Sequence, residues 1–276
     1  MKTIESVGLL GLGKMGHPMA KHLLAGGFRV VGFDPAREAC DRARAVGVQI
    51  VRSGREVAQA SELVLIVVGF DSEVESAVFG PDGIAAGAKP GLVVALCSTV
   101  APRYATRLAV RLAERGVTLI DAPLARGEAA AATGKLLVYG AGDEQTFDAC
   151  RRALSTFASD IFHLGPAGAG QVGKMVNNLI LWACTAANDE GLRLGQALGV
   201  DAERLREALH HGSAQNWALD NRAGASGMPW AEKDMNIVLH EADFARLSLP
   251  LAGSVKEVIK GLKIRLGYPM PVTSDE

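Results

Sequence analysis

Lys174 lies in the segment Gly168-Ala169-Gly170-Gln171-Val172-Gly173-Lys174-Met175-Val176-Asn177-Asn178, where one ammonium precedes two amides by three and four residues. On a helix that spacing puts Lys174, Asn177 and Asn178 on a single face. The glycines remove side chains, so a ligand can approach the backbone beside them. A lysine in this setting suits redox chemistry at a carbonyl or alcohol. When an aldehyde or ketone is reduced, negative charge builds on oxygen. An ammonium within hydrogen-bond reach stabilises that charge and then delivers its proton. In the oxidative direction the neutral amine removes the hydroxyl proton. Both directions gain from a pKa lowered toward neutrality by desolvation. The apolar neighbours Val172, Met175, Val176 and Leu179 argue against a lysine in bulk water.

Such chemistry needs an electron carrier, and the N-terminal region offers a site for one. Gly11-Leu12-Gly13-Lys14-Met15-Gly16 matches GxGxxG. With 32 glycines in the chain the pattern alone is weak, but its context is not. It follows a strand that begins near Ile4, it opens a helix, and Phe33-Asp34 closes the next strand about 20 residues further on. In this reading Gly11 permits a tight turn, Gly13 lets the backbone approach a pyrophosphate, and Gly16 lets helix and strand pack closely. The helix start adds unpaired N–H groups and a favourable dipole for phosphates. A purely structural glycine turn is the competing reading. Asp34 would accept hydrogen bonds from the adenosine ribose and repel a 2′-phosphate, which favours NAD. Arg37 blurs that preference, since a guanidinium tolerates the phosphate, so NADP stays open. A solvated arginine at a helix start is equally consistent with its position.

Elements must carry these residues to one place. Apolar runs at 7–10, 29–33, 63–68, 92–96 and 117–120 are bounded by Gly, Pro or Asp, with helical patterns at 15–25, 36–46, 72–79 and 103–115 between them. Continuous apolar strands alternating with helices predict a parallel sheet covered on both faces. Further strands at 135–139 and 161–163 flank a helix at 144–156. After Gly165 the strand patterns stop. Residues 171–198 form one helical pattern without proline, about 40 Å long at the usual rise. Segments 201–211, 229–245 and 251–266 are also helical, with Asp201 and Pro229 as starts. The predicted fold is α/β: a Rossmann-type doubly wound parallel sheet in residues 1–164, then an all-helical substrate and dimerisation domain in residues 165–276.

Composition excludes several classes. The 276 residues are 49% hydrophobic and 21% charged, which is ordinary for a globular chain rather than a disordered one. A net charge of -1 with interspersed signs advertises neither a nucleic-acid nor an anionic-membrane surface. No apolar run approaches the ~18 residues of a membrane span. The strand at the N-terminus leaves no room for a signal peptide. Four cysteines far apart, without CxxC, fit small core residues in a reducing, cytoplasmic setting. The six histidines show no metal-ligand spacing, so no metal site is expected.

These motifs, in this order, resemble the β-hydroxyacid dehydrogenases. That family includes 3-hydroxyisobutyrate dehydrogenase, tartronate semialdehyde reductase and glyoxylate reductase, and is related to 6-phosphogluconate dehydrogenase. The resemblance covers essentially the whole chain. It rests on Gly11 to Gly16 with Pro18-Met19-Ala20, Ser98-Thr99, Asp121-Ala122-Pro123-Leu124 through Gly134, Gly168 to Asn178, and Lys233-Asp234. It implies that Thr99 lies beside the nicotinamide ribose, that Val68-Gly69-Phe70 wraps the adenine-side ribose, and that Val74 stands behind it. It further implies Lys174 as acid/base, Asn177 and Asn178 as substrate ligands, and Lys233 as a cofactor or active-site contact. Read from the residues alone, Ser98-Thr99 is a helix N-cap before Pro102, and the two asparagines are buried amides tying helices together.

The chain departs from the family where most relatives carry Ser-Gly-Gly. Here the triplet is Ala125-Arg126-Gly127, which loses a hydroxyl and gains a guanidinium. It resembles the Gly-Arg-Thr triplet of sulfolactaldehyde reductases, which implies a substrate-binding Arg126 that clamps a carboxylate, sulfonate or phosphate head group. A loop arginine facing water is the plainer alternative. Relatives also carry Leu-Pro near Gly69-Phe70, an aspartate at Leu96 and a longer C-terminal tail. The expected partner is a small anionic aldehyde or hydroxy acid, and the long helix suits a homodimer or homotetramer. An imine reductase on the same scaffold is the alternative enzyme, although such enzymes generally replace the lysine. A non-catalytic dinucleotide-binding protein is the alternative outside catalysis.

Overall fold

The strand patterns fold as alternation of β and α predicts. The computed structural model describes residues 3–221 and 227–269. Its first part runs β1 (Ser6–Leu10), α1 (Gly16–Ala25), β2 (Arg29–Phe33), α2 (Arg37–Ala45), β3 (Gln49–Ile50), α3 (Gly54–Ala60), β4 (Leu63–Ile66), α4 (Asp71–Phe79), α5 (Ile84–Gly87), β5 (Val93–Leu96), α6 (Pro102–Ala113) and β6 (Thr118–Asp121). These strands form one parallel sheet in the order β3-β2-β1-β4-β5-β6. The order reverses between β1 and β4, the place where doubly wound sheets open a ligand crevice. Side chains alternate between two cores. Val7, Leu9, Leu63, Leu65, Val93 and Ala95 enter one, while Leu10, Val64, Ile66, Val94 and Leu96 enter the other. Burial on both faces is why these strands read as unbroken apolar runs.

Register then sets out the functional edge. Leu10 pairs with Phe33 and with Ile66, Ile66 with Leu96, and Leu96 with Asp121. The carboxyl ends of five strands therefore stop in a single row. The residues just beyond that row are those marked for the cofactor.

The expected strands at 135–139 and 161–163 join a separate sheet. It follows as β7 (Leu124–Ala125), α7 (Gly127–Thr133), β8 (Leu136–Gly140), α8 (Glu144–Leu154) and β9 (Ala158–His163), in the order β7-β8-β9. β7 pairs antiparallel with β8, which pairs parallel with β9. β3 and β7 have two residues each, too short for a periodic pattern to show. Burial pushes the thiols of Cys97 and Cys150 up to about 12, so both are inert packing groups.

The rest is helical among the described residues: α9 (Ala169–Ala197), α10 (Ala202–Leu209), α11 (Trp217–Asn221), α12 (Ala231–Phe244) and α13 (Pro250–Arg265). Asp201 caps α10 by accepting the N–H of Arg204 at 3.0 Å. Pro229 lies two residues outside α12, whose N-cap is Trp230. No described helix is long and apolar enough to cross a membrane. The chain divides into two compact units, Met1–Lys174 and Met175–Glu276, and α9 begins in the first and continues in the second.

The second unit has its own core, including Trp182, Met235, Val238, Val255 and Ile259. Two buried polar contacts fix the first turn of α12 inside it. Trp182 donates its indole N–H to Asp234 at 3.0 Å, and the Lys263 ammonium meets Glu232 at 2.8 Å. The Lys263 and Glu232 side chains are only 4% and 12% exposed, so removing one partner strands a charge away from water. Lys263→Met should cost about 3 kcal/mol in urea unfolding, and adding Glu232→Leu should recover most of it. Equal losses for the single and double variants would contradict this account of the pair.

Candidate active site

The glycine loop after β1 is shaped by backbone proximity. Gly11 sits at φ 95, and a Cβ there would run into the Val67 carbonyl oxygen. A Cβ on Gly16 would collide with the Gly11 carbonyl oxygen, so helix and loop touch backbone to backbone. Gly13 is different, because a Cβ there would meet nothing within 4 Å. Two of the glycines are demanded by packing and the third leaves space in front of the loop. No side chain caps α1 at Met15, and its first turn holds no acidic residue. Its leading N–H groups and dipole therefore favour an anion beside the open side of Gly13.

Asp34 stands just past β2. Its carboxylate accepts the N–H of Leu12 at 2.7 Å and that of Ala36 at 2.8 Å. The glycine loop and the acidic strand end are thus tied directly. Arg37 does not join them. It is 94% exposed and faces Asp41 at 3.8 Å, as a solvated arginine would. Lys14 makes an exposed pair with Glu128 at 3.4 Å. Leu12 and Val74 are fully buried core side chains, while Phe33 and Met15 are half-buried against the cores.

The loops after β4 and β5 meet through Ser98. Its hydroxyl accepts the Val68 N–H at 2.9 Å and donates to the Ile66 carbonyl at 3.3 Å. The N-cap reading of Ser98-Thr99 is therefore corrected: Ala101 caps α6, with Pro102 at its first position. Ser98 is buried and serves to join strand ends. Gly69 and Phe70 point their N–H groups at Glu73, at 2.7 and 2.8 Å.

Thr99 is half-buried between two residues that Gln171 holds. Gln171 is fully buried, donates to the Ser98 carbonyl at 2.9 Å and accepts the Val100 N–H at 3.1 Å. Asp121, at the end of β6, accepts the N–H groups of Gly168, Gly170 and Gln171 at 2.8, 3.1 and 3.3 Å. Burial raises the Asp121 carboxyl above its ordinary range, and these three bonds oppose the rise. The first turn of α9 is consequently fastened to the ends of β5 and β6. Lys174 stands three residues beyond Gln171 and is half-buried. Val172 and Val176 are 43% and 44% exposed, contrary to the apolar surround expected from their types. They form an outward row with Ile180, one turn apart at each step, so other groups must shield the lysine.

The departing triplet sits on β7 and the turn into α7. Ala125 is buried and pairs with Leu137, while Arg126 and Gly127 take φ 83 and φ 73, in the left-handed region. Arg126 uses Nη1 alone, on Asp160 at 2.6 Å, Ser159 at 3.0 Å and the Lys135 carbonyl at 3.2 Å. Hydrogen bonds from Arg126 and Ser159 hold the Asp160 carboxyl below its usual range. Among the described residues, Nε and Nη2 of Arg126 make no hydrogen bond. Tyr139 is a neighbour that sequence reasoning treated only as part of a strand. Burial pushes its hydroxyl pKa up, and the Arg126 charge partly offsets this. A Cβ on Gly173 would lie 3.1 Å from the Tyr139 ring, which seats the tyrosine beside the second turn of α9.

In the second unit, Asn178 is buried and accepts the amide N–H of Asn177 at 3.0 Å. Lys233 lies on the first turn of α12 with its ammonium 5.6 Å from the Trp230 ring centroid. No group of three or more His, Cys, Asp or Glu among the described residues is arranged to hold a metal ion.

Comparison with known proteins identifies the family. Residues 6–165 match the NAD binding domain of 6-phosphogluconate dehydrogenase, and residues 168–270 match the family described as NAD-binding of NADP-dependent 3-hydroxyisobutyrate dehydrogenase. The chain is 36% identical over 281 residues to the NAD-dependent L-serine dehydrogenase of Pseudomonas aeruginosa, covering 96% of this chain and 94% of that protein. It is 33% identical to the 3-hydroxyisobutyrate dehydrogenase of the same organism, over 92% of this chain and 91% of the relative. The crystal structure of 3-hydroxyisobutyrate dehydrogenase from Salmonella typhimurium superposes with a TM-score of 0.85 at 28% identity, covering 95% of each chain. The chain belongs to the β-hydroxyacid dehydrogenase family and is an NAD(P)-dependent hydroxyacid dehydrogenase.

Proposed function

We propose that the protein interconverts a small 3-hydroxy acid and its semialdehyde with NAD, using Lys174 as the acid/base. The observation that carries this reading is the fastening of the Lys174 helix turn to the sheet edge that also bears the glycine loop and Asp34. When bound, the dinucleotide supplies the two-electron acceptor or donor. Gly11 to Gly16 and the α1 N-terminus would hold its pyrophosphate, Asp34 its adenosine ribose, and Thr99 its nicotinamide ribose. The Val68 to Phe70 turn would meet the adenosine side, and Lys233 would be a further contact. In oxidation, neutral Lys174 accepts the hydroxyl proton; in reduction, its ammonium neutralises the oxygen as negative charge develops and returns the proton. Asn177 and Asn178 orient the substrate hydroxyl and chain.

The relatives named for L-serine and 3-hydroxyisobutyrate suggest the substrate class. Both molecules carry a primary alcohol two carbons from a carboxylate. Among the described residues nothing bonds the Nε–Nη2 edge of Arg126 while Asp160 holds Nη1, and that edge suits a carboxylate or sulfonate bound through two parallel hydrogen bonds. Ala125 and Gly127 flank it with little bulk. NAD is favoured over NADP because the Asp34 carboxylate stands at the strand end while Arg37 faces Asp41. The outward row of Val172, Val176 and Ile180 supports self-association through α9.

Lys174→Met should lower turnover on the order of 10³-fold while leaving NADH binding intact by fluorescence titration. Retained turnover would remove the lysine from the mechanism. The ratio of kcat/KM for NAD over NADP should fall roughly 10- to 100-fold in Asp34→Ala, and an unchanged ratio would exclude Asp34 as the discriminator. For Arg126→Gly, which also relieves the left-handed backbone, KM for the acids should rise roughly 10- to 100-fold. Steady-state comparison of L-serine, 3-hydroxyisobutyrate, tartronate semialdehyde and sulfolactaldehyde with a neutral aldehyde reads this out. A KM for the acids equal to that of the wild type would sink the clamp.

A further inference from the structure

We infer that Gln171 is a positioning residue for the reaction, its buried amide clamping the turn that carries Thr99 to the helix turn that carries Lys174. The inference rests on the acid/base reading of Lys174 and adds to it a group with no proton to give. Gln171 brackets Thr99 from both sides, donating to the carbonyl of Ser98 at 2.9 Å and accepting the N–H of Val100 at 3.1 Å. Because one bond is given and one received, the amide has a single satisfied orientation. Its own backbone N–H goes to Asp121, together with those of Gly168 and Gly170. The helix end of the clamp is therefore as fixed as the loop end. Lys174 follows three residues later, on the next turn of the same face. On the other side, the Ser98 hydroxyl passes the connection to the Val68 N–H at 2.9 Å. Gln171 thus ties the loops after β4 and β5 to the base of the lysine.

Few side chains can make both bonds. Glutamate accepts from Val100 but cannot donate to Ser98 unless it is protonated, and methionine fills the space without either bond. Asparagine is one methylene short. A displacement of about 1 Å between the loop of Thr99 and the lysine is enough to cost on the order of 10²-fold in rate. A clamp of this kind acts on kcat and on dinucleotide affinity, whereas a merely structural tie acts on stability.

The test compares wild type, Gln171→Met, Gln171→Glu and Lys174→Met, using NAD and whichever acid of the panel above turns over fastest. Four quantities are measured: kcat, KM for the acid, NADH affinity by fluorescence, and the thermal midpoint. Gln171→Met should lose kcat on the order of 10²-fold and bind NADH more weakly, with a much smaller change in KM. For Gln171→Glu, kcat relative to wild type should rise as pH falls and the new carboxyl takes up a proton, since burial raises its pKa. That ratio decides the matter even where the methionine variant folds poorly. A wild-type kcat and NADH affinity in Gln171→Met with only a lower thermal midpoint would overturn the clamp, as would a Gln171→Glu ratio flat with pH. Should Lys174→Met stay active, the acid/base reading itself falls. A dead Lys174→Met beside a fully active Gln171→Met removes the clamp alone.

Discussion

A carboxylate placed out of reach of water needs compensation, and the position of Asp121 sets much of the rest. Its Oδ2 collects three backbone N–H groups from the start of α9, where the helix dipole also favours negative charge. Those N–H groups have no partner inside the helix, so the bonds satisfy them and offset part of the cost of burying the carboxylate. The consequence is geometric. A helix whose first turn is bonded to a strand end cannot slide or rotate about its axis. Gly170 allows this closeness, because a Cβ there would strike Asp121 and the Tyr139 carbonyl. Glycines between Gly168 and Lys174 thus serve packing of the helix onto the sheet.

Much of this architecture was legible before any coordinates. The apolar runs gave strand positions because burial on both faces leaves no room for polar alternation. GxGxxG followed by Asp34 gave the glycine loop because tight backbone contact forbids side chains at Gly11 and Gly16. Short elements were lost: α5 spans Ile84–Gly87, one turn, with no period to detect. The second sheet was hidden for another reason. Strand pairing is long-range, and nothing local to β8 or β9 states which sheet receives them.

Within the site, residue type was a good guide to chemistry and a poor guide to partners. Ser98 carries a cap residue's side chain, yet Pro102 already starts α6 and the hydroxyl turns to Val68 and Ile66. Val172 and Val176 look like shielding for Lys174, yet helical geometry turns them outward. The roles of Gln171 and Tyr139 escaped notice because a neutral polar side chain does not state its partners locally. Arg126 is the instructive mixture. A non-glycine residue in the left-handed region costs roughly 1–2 kcal/mol, and here the guanidinium gains an anchor on Asp160 and Ser159. A charge thus stands where bare backbone would have been easier to fold.

A lysine is a long, flexible chain that loses about 2 kcal/mol of rotamer freedom when held, so precision at its ammonium must come from elsewhere. The two candidate lysines of this protein meet that requirement in the same way. Lys174 follows a turn secured by Asp121 and Gln171. Lys233 lies between Glu232 and Asp234, which Lys263 and Trp182 hold inside the second core. In each case buried polar neighbours fix the backbone that carries the lysine. Hydrophobic packing alone would hold these turns less well, since apolar contacts are non-directional and tolerate small rotations of a helix. Hydrogen bonds to strand ends and indole N–H groups do not. The buried amide and carboxylates near these lysines are therefore better understood as orientation devices than as sources of stability.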